Sequence, residues 1–227
     1  MHDFTSPDNK HSALIIIDVQ RDFALSGSNA EIPGTMQAIH YIQILAQGYR
    51  NLGYPIIHVV RLYHQDGSNV DLCRREAVMN GKQMVIVGSV GAEIMDELKP
   101  STNSRLDSSL LLSGRLQHIG PVEWIMYKPR WGAFYRTPLE EHLRDLSVNT
   151  VIITGCNFPN CPRTTIYEAS ERDFRIVLAQ NATSQIYEKD LGELNSIGVS
   201  VMDTSKCIDW LGPKKSTNGQ SVSLTLA

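Results

Sequence analysis

Residues 152–165 read IITGCNFPNCPRTT, and this stretch decides how the rest of the chain is interpreted. A run of β-branched apolar residues is typical of a buried strand, and the Gly, Asn and Pro cluster after it indicates a turn. Residues 164–172 then favour a helix. Cys161 therefore falls at a strand-to-helix junction, where Pro162 suits the first helical position because its missing N–H costs nothing there.

A thiol at that junction has the surroundings of a nucleophile. The start of a helix carries partial positive charge and unpaired backbone N–H groups, which favour a thiolate and offer a site for an oxyanion. The remaining cysteines, Cys73, Cys156 and Cys207, lack the paired spacing of zinc or thioredoxin sites. We interpret them as small buried hydrophobic residues. The same interpretation, a cysteine packed under a loop, stays open for Cys161 on this segment alone.

The rest of the chain alternates between strand and helix patterns. Strands are predicted at residues 13–17, 55–60, 123–127, 150–154, 175–179 and 199–201, and helices at residues 35–52, 138–146, 164–172 and 189–197. This order predicts an α/β fold with three layers: a Rossmann-like parallel sheet of about six strands with helices on both faces. Ligands of such folds bind beyond the carboxyl ends of the strands. Asp18, Lys128 and Cys161 each follow a predicted strand at that edge.

Length and composition predict one globular domain. The chain has 227 residues, 42% of them hydrophobic, and a formal net charge of -3. We expect a single domain over residues 1–212, with residues 62–116 forming loops and a lid, and a flexible tail over residues 213–227. No basic stripe indicates nucleic acid, and no apolar run approaches the roughly 20 residues of a membrane span. We therefore expect a cytoplasmic protein that binds neither nucleic acid nor membrane.

Charged residues near the predicted site supply what a cysteine nucleophile needs. Asp18 offers a base that accepts the thiol proton, and Lys128 offers a cation that lowers the thiol pKa. Arginines on nearby segments, including Arg61 and Arg163, face either solvent or the crevice. If they face the crevice, their guanidinium groups predict a substrate with an acid or a ureido group, because arginine binds carboxylates in bidentate fashion.

Three motifs together resemble the isochorismatase-like cysteine hydrolases, a family that includes nicotinamidases and N-carbamoylsarcosine amidases. Residues 13–23 read ALIIIDVQRDF, residues 128–134 read KPRWGAF with TPL at 137–139, and the spacing from Gly155 to Cys161 matches that from glycine to nucleophile. The resemblance spans roughly residues 13–183. It implies a catalytic triad of Asp18, Lys128 and Cys161. It also implies an oxyanion hole made by the N–H groups of Asn157 and Cys161, with a cis peptide bond before Asn157.

The resemblance further implies a pocket lined by Phe23, Trp131 and Phe134, although each aromatic ring also suits plain core packing. The chain departs from the metal-binding nicotinamidases after its second strand. Those enzymes carry an Asp-x-His element and a further His there, whereas residues 61–66 read RLYHQD. We therefore expect no catalytic metal and no other cofactor, and we interpret His58 and His64 as structural.

These features predict a metal-independent cysteine hydrolase that cleaves a C–N bond of a small amide or carbamoyl substrate through a covalent acyl-enzyme. We expect it to form a homo-oligomer, either a dimer or a tetramer. One alternative is the vinyl ether cleavage of isochorismatases, which needs no thiol. Another is a non-catalytic or redox-sensing member, which would need neither Asp18 nor Lys128. Dinucleotide binding is excluded because no Gly-x-Gly-x-x-Gly turn follows the first strand.

Overall fold

The computed structural model describes residues 4–212, and its centre is a sheet of seven strands. The strands are β1 (Ser12–Ile17), β2 (Ile56–Val60), β3 (Gln117–Gly120), β4 (Glu123–Tyr127), β5 (Thr150–Gly155), β6 (Arg175–Thr183) and β7 (Ser200–Met202). Their order is β3-β4-β2-β1-β5-β6-β7. Every neighbouring pair is parallel except β3 and β4. The predicted α/β class and sheet type are confirmed.

Strand β3 is the strand that the sequence pattern missed. It is short, it lies at the sheet edge, and its residues are only partly buried. Such a segment lacks the apolar run or the strict alternation that identifies a strand from sequence. It reaches the sheet through a tight antiparallel connection to β4.

Helices cover both faces of the sheet. They are α1 (Arg21–Ala24), α2 (Thr35–Leu52), α3 (Leu72–Met79), α4 (Ser108–Leu112), α5 (Leu139–Asp145), α6 (Cys161–Ser170), α7 (Glu188–Ser196) and α8 (Thr204–Leu211). Helix α2 has the predicted bounds, whereas α6 begins three residues earlier than predicted, at Cys161 itself. Residues 62–116 hold α3, α4 and two short 3-10 turns rather than loops alone. The tail predicted for residues 213–227 lies outside the described residues.

Strand β1 is buried along its whole length and divides the core in two. Leu14 and Ile16 pack on the face that α2 covers, and Ile15 and Ile17 pack on the face that α5 and α6 cover. This follows from the alternation of side chains along a strand. Cys156 and Cys207 are buried as predicted, but Cys73 is exposed because most side chains of α3 face solvent.

Gly155 is the point where the end of β5 touches the backbone of β1. Its φ is +110°, and a Cβ there would lie 2.1 Å from the carbonyl oxygen of Ile17. We expect Gly155→Ala to lower the free energy of unfolding by about 3 kcal/mol or more, because backbone cannot yield as a side chain does. Urea denaturation measures this loss.

The matched control is Gly192→Ala in α7, where nothing lies within 4 Å of the added Cβ. That change should be neutral or should stabilise the protein by about 0.5–1 kcal/mol, since alanine is the better helix former. Equal urea midpoints for the two variants would show that the contact between β5 and β1 does not require glycine.

Candidate active site

Three chemically active side chains meet at the carboxyl edge of the sheet. Asp18 follows β1, Lys128 follows β4, and Cys161 opens α6 after β5. The Nζ atom of Lys128 lies 2.8 Å from Oδ2 of Asp18, and both side chains are buried. Cys161 is 2% exposed. The structure thus brings together the base, the cation and the thiol that the motifs predict.

The thiol of Cys161 interacts with the Asp18 side chain. No hydrogen bond to Asp18 Oδ1 has formed, since that buried oxygen has no hydrogen-bond partner among residues 4–212. Burial raises the pKa of the Cys161 thiol, and the Asp18 carboxylate raises it further, while Lys128 and Arg61 lower it. The net direction of the Cys161 pKa shift is upward. A base beside the thiol therefore assists its deprotonation.

The raised pKa predicts how Cys161 reacts with iodoacetamide as the pH changes. Below its pKa the sulfur holds its proton, and only the thiolate is alkylated. We therefore expect the alkylation rate to keep rising with pH beyond the ordinary range of a free thiol. Mass spectrometry of the Cys161 peptide gives the midpoint, which does not depend on access to the buried sulfur. A midpoint below that of a free cysteine would contradict the prediction.

The loop between β5 and α6 presents two backbone donors toward this edge. The peptide bond between Cys156 and Asn157 is cis, as the resemblance implies. The Cys156 N–H donates to Ile17 O at 2.9 Å, and the Phe158 N–H donates to Ser184 O at 2.9 Å. The N–H groups of Asn157 and Cys161, in contrast, donate to no backbone carbonyl within residues 4–212. These two donors remain available to a ligand oxygen.

Arg61 follows β2 and is fully buried beside Cys161. Its Nη2 atom lies 3.7 Å from Cys161 Sγ. Its Nη1 atom donates to Asp71 and, at 3.1 Å, to the hydroxyl of Tyr63. Burial raises the pKa of Asp71, but the Arg61 guanidinium, the Tyr63 hydroxyl and Arg74 together outweigh burial and hold that pKa low. Of the arginines predicted for the crevice, Arg61 is therefore the one in contact with the thiol.

Gln20 holds the backbone around Arg61, a role that the sequence did not indicate. Its Nε2 atom donates to Arg61 O and to Ala92 O, both at 2.7 Å, and its Oε1 atom accepts the Arg61 N–H at 2.8 Å. Gln20 is completely buried. The available signal was a glutamine three residues after the apolar run of residues 13–17, within the DVQRDF motif, where a buried amide needs partners.

Helix α6, which begins at Cys161, also holds the loop that follows Lys128. The hydroxyl of Thr165 accepts the Ala133 N–H at 3.1 Å and donates to Cys161 O at 2.7 Å. One turn further along α6, Glu168 accepts the Phe134 N–H at 2.9 Å. The loop carrying the lysine and the helix carrying the cysteine are thereby joined as one unit.

A cavity of about 470 Å³ lies between the start of α3, the loop that follows Lys128 and helix α6. Its lining includes Asp71, Arg130, Trp131, Tyr135, Thr164 and Glu168. Thr164 stands one helical turn after Cys161 on α6, but none of Asp18, Lys128 and Cys161 lines the cavity. Trp131 lines it.

The Isochorismatase domain model matches residues 12–107 and 117–206. The chain belongs to the isochorismatase family. A relative described as a probable inactive nicotinamidase of Arabidopsis thaliana is 28% identical over 196 residues, which cover 84% of this chain and 91% of that protein. The family predicted from the three motifs is thus confirmed.

Two solved structures of similar proteins share the fold. An isochorismatase family protein from Desulfovibrio vulgaris is 27% identical, with a TM-score of 0.74 over 89% of this chain and 99% of that one. The nicotinamidase/pyrazinamidase PncA from Bacillus subtilis is 26% identical, with a TM-score of 0.66 over 85% of this chain and 99% of that one.

Three residues predicted to line a substrate pocket do not line this cavity. Phe23 is buried in the hydrophobic core on the α2 side of the sheet. Phe134 packs against Phe174, with ring centroids 5.6 Å apart. Arg163 turns to α7, where it forms ion pairs with Asp190 at 3.2 Å and with Glu193. Two acidic partners on a neighbouring helix draw the Arg163 guanidinium away from the crevice.

The residues after β2 do not fit the metal site of nicotinamidases. The first residue after β2 is the buried cation Arg61, and His64 is exposed. His58, within β2, bonds through its Nε2 atom to Glu123 at 2.7 Å. Across the described residues, no group of three or more His, Cys, Asp or Glu side chains could hold a metal ion. Nor is any helix within residues 4–212 long and apolar enough to cross a membrane.

Proposed function

We propose that this isochorismatase family member is a cysteine amidohydrolase that cleaves a C–N bond of a small amide or carbamoyl compound. The observation that carries the proposal is the meeting of Asp18, Lys128 and Cys161 from three separate strand ends, with Lys128 Nζ at 2.8 Å from Asp18. A buried acid, a buried cation and a buried thiol are costly to place together without a use for their charges.

The first step is proton transfer from Cys161 to Asp18. The S–H electron pair stays on sulfur, and the proton moves to a carboxylate oxygen. The raised pKa of the thiol keeps that proton in place until a substrate arrives. The thiolate then attacks the carbonyl carbon, and the π electron pair moves to oxygen. The free N–H groups of Asn157 and Cys161 stabilise this oxyanion.

Collapse of the tetrahedral intermediate re-forms the carbonyl and breaks the C–N bond. The leaving ammonia or amine takes the proton from Asp18, which leaves an acyl group on Cys161. A water molecule, deprotonated by Asp18, attacks the thioester carbon. The second collapse expels the Cys161 thiolate, releases the acid product, and returns the proton to sulfur. Lys128 keeps Asp18 oriented during both acylation and deacylation.

The cavity between α3, the loop after Lys128 and α6 suits the part of the substrate that does not react. Trp131 and Tyr135 offer aromatic faces, while Arg130 and Thr164 offer hydrogen-bond donors. Its volume of about 470 Å³ lies in the range of small-molecule sites. The decisive experiment is an ammonia assay over a panel of small amides, ureas and carbamates. Turnover of at least one compound supports the proposal.

A second candidate function is a non-catalytic or redox-sensing role, which the likeness to a probable inactive nicotinamidase favours. Such a protein would hydrolyse nothing on the panel, and Cys161 would oxidise reversibly with peroxide. The vinyl ether cleavage of isochorismatases needs no thiol, so the buried Cys161 argues against it. The pairing of Asp18 with Lys128 beside the thiol favours hydrolysis over sensing.

We expect activity to survive treatment with a chelator. The segment after β2 begins with the buried cation Arg61, which disfavours binding of a divalent ion by charge repulsion. The measurement compares ammonia release before and after dialysis against EDTA, with and without added zinc. Loss of turnover on dialysis, restored by zinc, would contradict this expectation.

A further inference from the structure

Two cations flank the pair of groups that exchange a proton, one on each side. Lys128 Nζ lies 2.8 Å from Asp18 Oδ2, and Arg61 Nη2 lies 3.7 Å from Cys161 Sγ. Lys128 thus contacts Asp18, and Arg61 contacts Cys161. Lys128 is the lysine of the family motif, whereas Arg61 belongs to the segment after β2, in which this chain departs from the metal-binding nicotinamidases.

The proton transfer moves one negative charge between these two cations. Before the step the charge lies on the Asp18 carboxylate; after it, Asp18 is neutral and the charge lies on sulfur. The total charge does not change. Lys128 therefore mainly stabilises the starting arrangement, and Arg61 mainly stabilises the product. An interaction that becomes stronger between the ground state and the transition state lowers the barrier. An interaction of equal strength in both states does not lower it.

On this geometry, and resting on the proposed function, we infer that Arg61 is a fourth catalytic residue, which holds the negative charge of the Cys161 sulfur once Asp18 has taken the proton. Its surroundings are built for this task. Asp71 and the Tyr63 hydroxyl bind Nη1 and leave Nη2 for sulfur. Arg61 is completely buried, so water does not screen the contact.

A second layer keeps the guanidinium in place. Gln20 binds both the N–H and the C=O of Arg61, and Arg74 donates to the Tyr63 hydroxyl at 3.1 Å. The charged groups around the sulfur are therefore Asp18 and Lys128 on one side, and Arg61, with Asp71 and Arg74 behind it, on the other. The competing explanation is that Arg61 serves only to neutralise the buried carboxylate of Asp71.

The two explanations differ in what happens when Asp71 no longer needs a partner. The experiment compares Asp71→Asn with the double variant R61M/D71N, in which no unpaired buried charge remains. The readout is the pH dependence of iodoacetamide alkylation on the Cys161 peptide. If Arg61 stabilises the thiolate, the double variant has a higher midpoint than Asp71→Asn. A midpoint one pH unit higher makes its alkylation at pH 7 about tenfold slower.

If Asp71→Asn does not fold, R61M/D71N is compared with the wild type instead, because Arg61→Met alone leaves the Asp71 carboxylate unpaired near the thiol. A higher midpoint in R61M/D71N again supports the role of Arg61, and thermal unfolding checks each protein. Arg163→Met is the matched control, because Arg163 lies on the nucleophile's own helix but pairs with Asp190 and Glu193. It should leave the midpoint unchanged. Equal midpoints for Asp71→Asn and R61M/D71N overturn the inference. Because the assay needs no substrate, a failure of the hydrolase proposal, seen as no turnover on the amide panel, remains separate.

Discussion

Cys161→Ala and Cys161→Ser proteins are expected to fold and to lose at least about a thousandfold of the amide turnover of the wild type, as removal of a nucleophile does elsewhere. Serine has nearly the shape of cysteine, but its hydroxyl is far less acidic than a thiol. Asp18 therefore cannot generate an alkoxide at a useful rate. The measurement is ammonia release at saturating substrate, with thermal unfolding to show that each variant is folded.

Cys207→Ala is the matched control for these variants. Cys207 is buried in α8 and packs on the α2 side of the sheet, away from the carboxyl edge. Its loss should lower thermal stability slightly and leave turnover intact. A Cys161→Ser protein that keeps more than a tenth of the wild-type turnover would contradict covalent catalysis by this thiol.

Asp18→Asn is expected to bind substrate but to lose about 10²–10⁴-fold in turnover, the usual contribution of a general base. The amide has the shape of the carboxylate but does not accept the thiol proton, whose transfer the raised pKa of Cys161 makes necessary. Mass spectrometry with a slow amide substrate should show an acyl adduct on Cys161 in the wild type. The Asp18→Asn protein should lack that adduct.

Loss of the Asp18 charge also leaves the buried Lys128 unpaired, so a lower melting temperature is expected as well. The matched control is Asp22→Asn in the same motif, where the carboxylate accepts the Val85 N–H at 2.6 Å and does not contact Cys161. Asp22→Asn should still form the adduct. If Asp18→Asn forms the adduct at the wild-type rate, another group is the base. If no amide modifies the wild type while peroxide oxidises Cys161 reversibly, the sensor is the better explanation.

Local patterns were enough to predict most of the sheet and the place of Cys161 at the start of a helix. The apolar run of β1 and the β-branched run of β5 each identify a strand that is buried on both faces, and Gly53, with φ of +69°, ends α2 as the sequence predicts. Strand β3 and helix α3 were not predicted, because their residues are largely polar and are half-exposed or exposed. A buried face is what makes periodicity visible.

Side-chain partners far apart in the chain could not be predicted in the same way. Arg61 reaches Cys161 across 100 positions, and Gln20 reaches Arg61 across 41. Arg61 and Arg163 look alike in sequence, yet one is buried against the thiol and the other pairs with acids on α7. Which acid or thiol lies nearest depends on how the strands and helices pack, and no local pattern encodes that.

The amino-acid sequence by itself determined the strand-and-helix alternation, the family, and the positions of Asp18, Lys128 and Cys161 at strand ends. The alternation and the strand-end positions follow from periodicity and turn chemistry, which act between neighbours in the chain, and the family follows from the resemblance of three motifs. Only the tertiary structure decided the direction in which the pKa of the Cys161 thiol moves, since burial and the Asp18 carboxylate raise it while Lys128 and Arg61 lower it. It also decided which arginine stands beside that thiol, because burial and charge are set by the three-dimensional packing of distant segments.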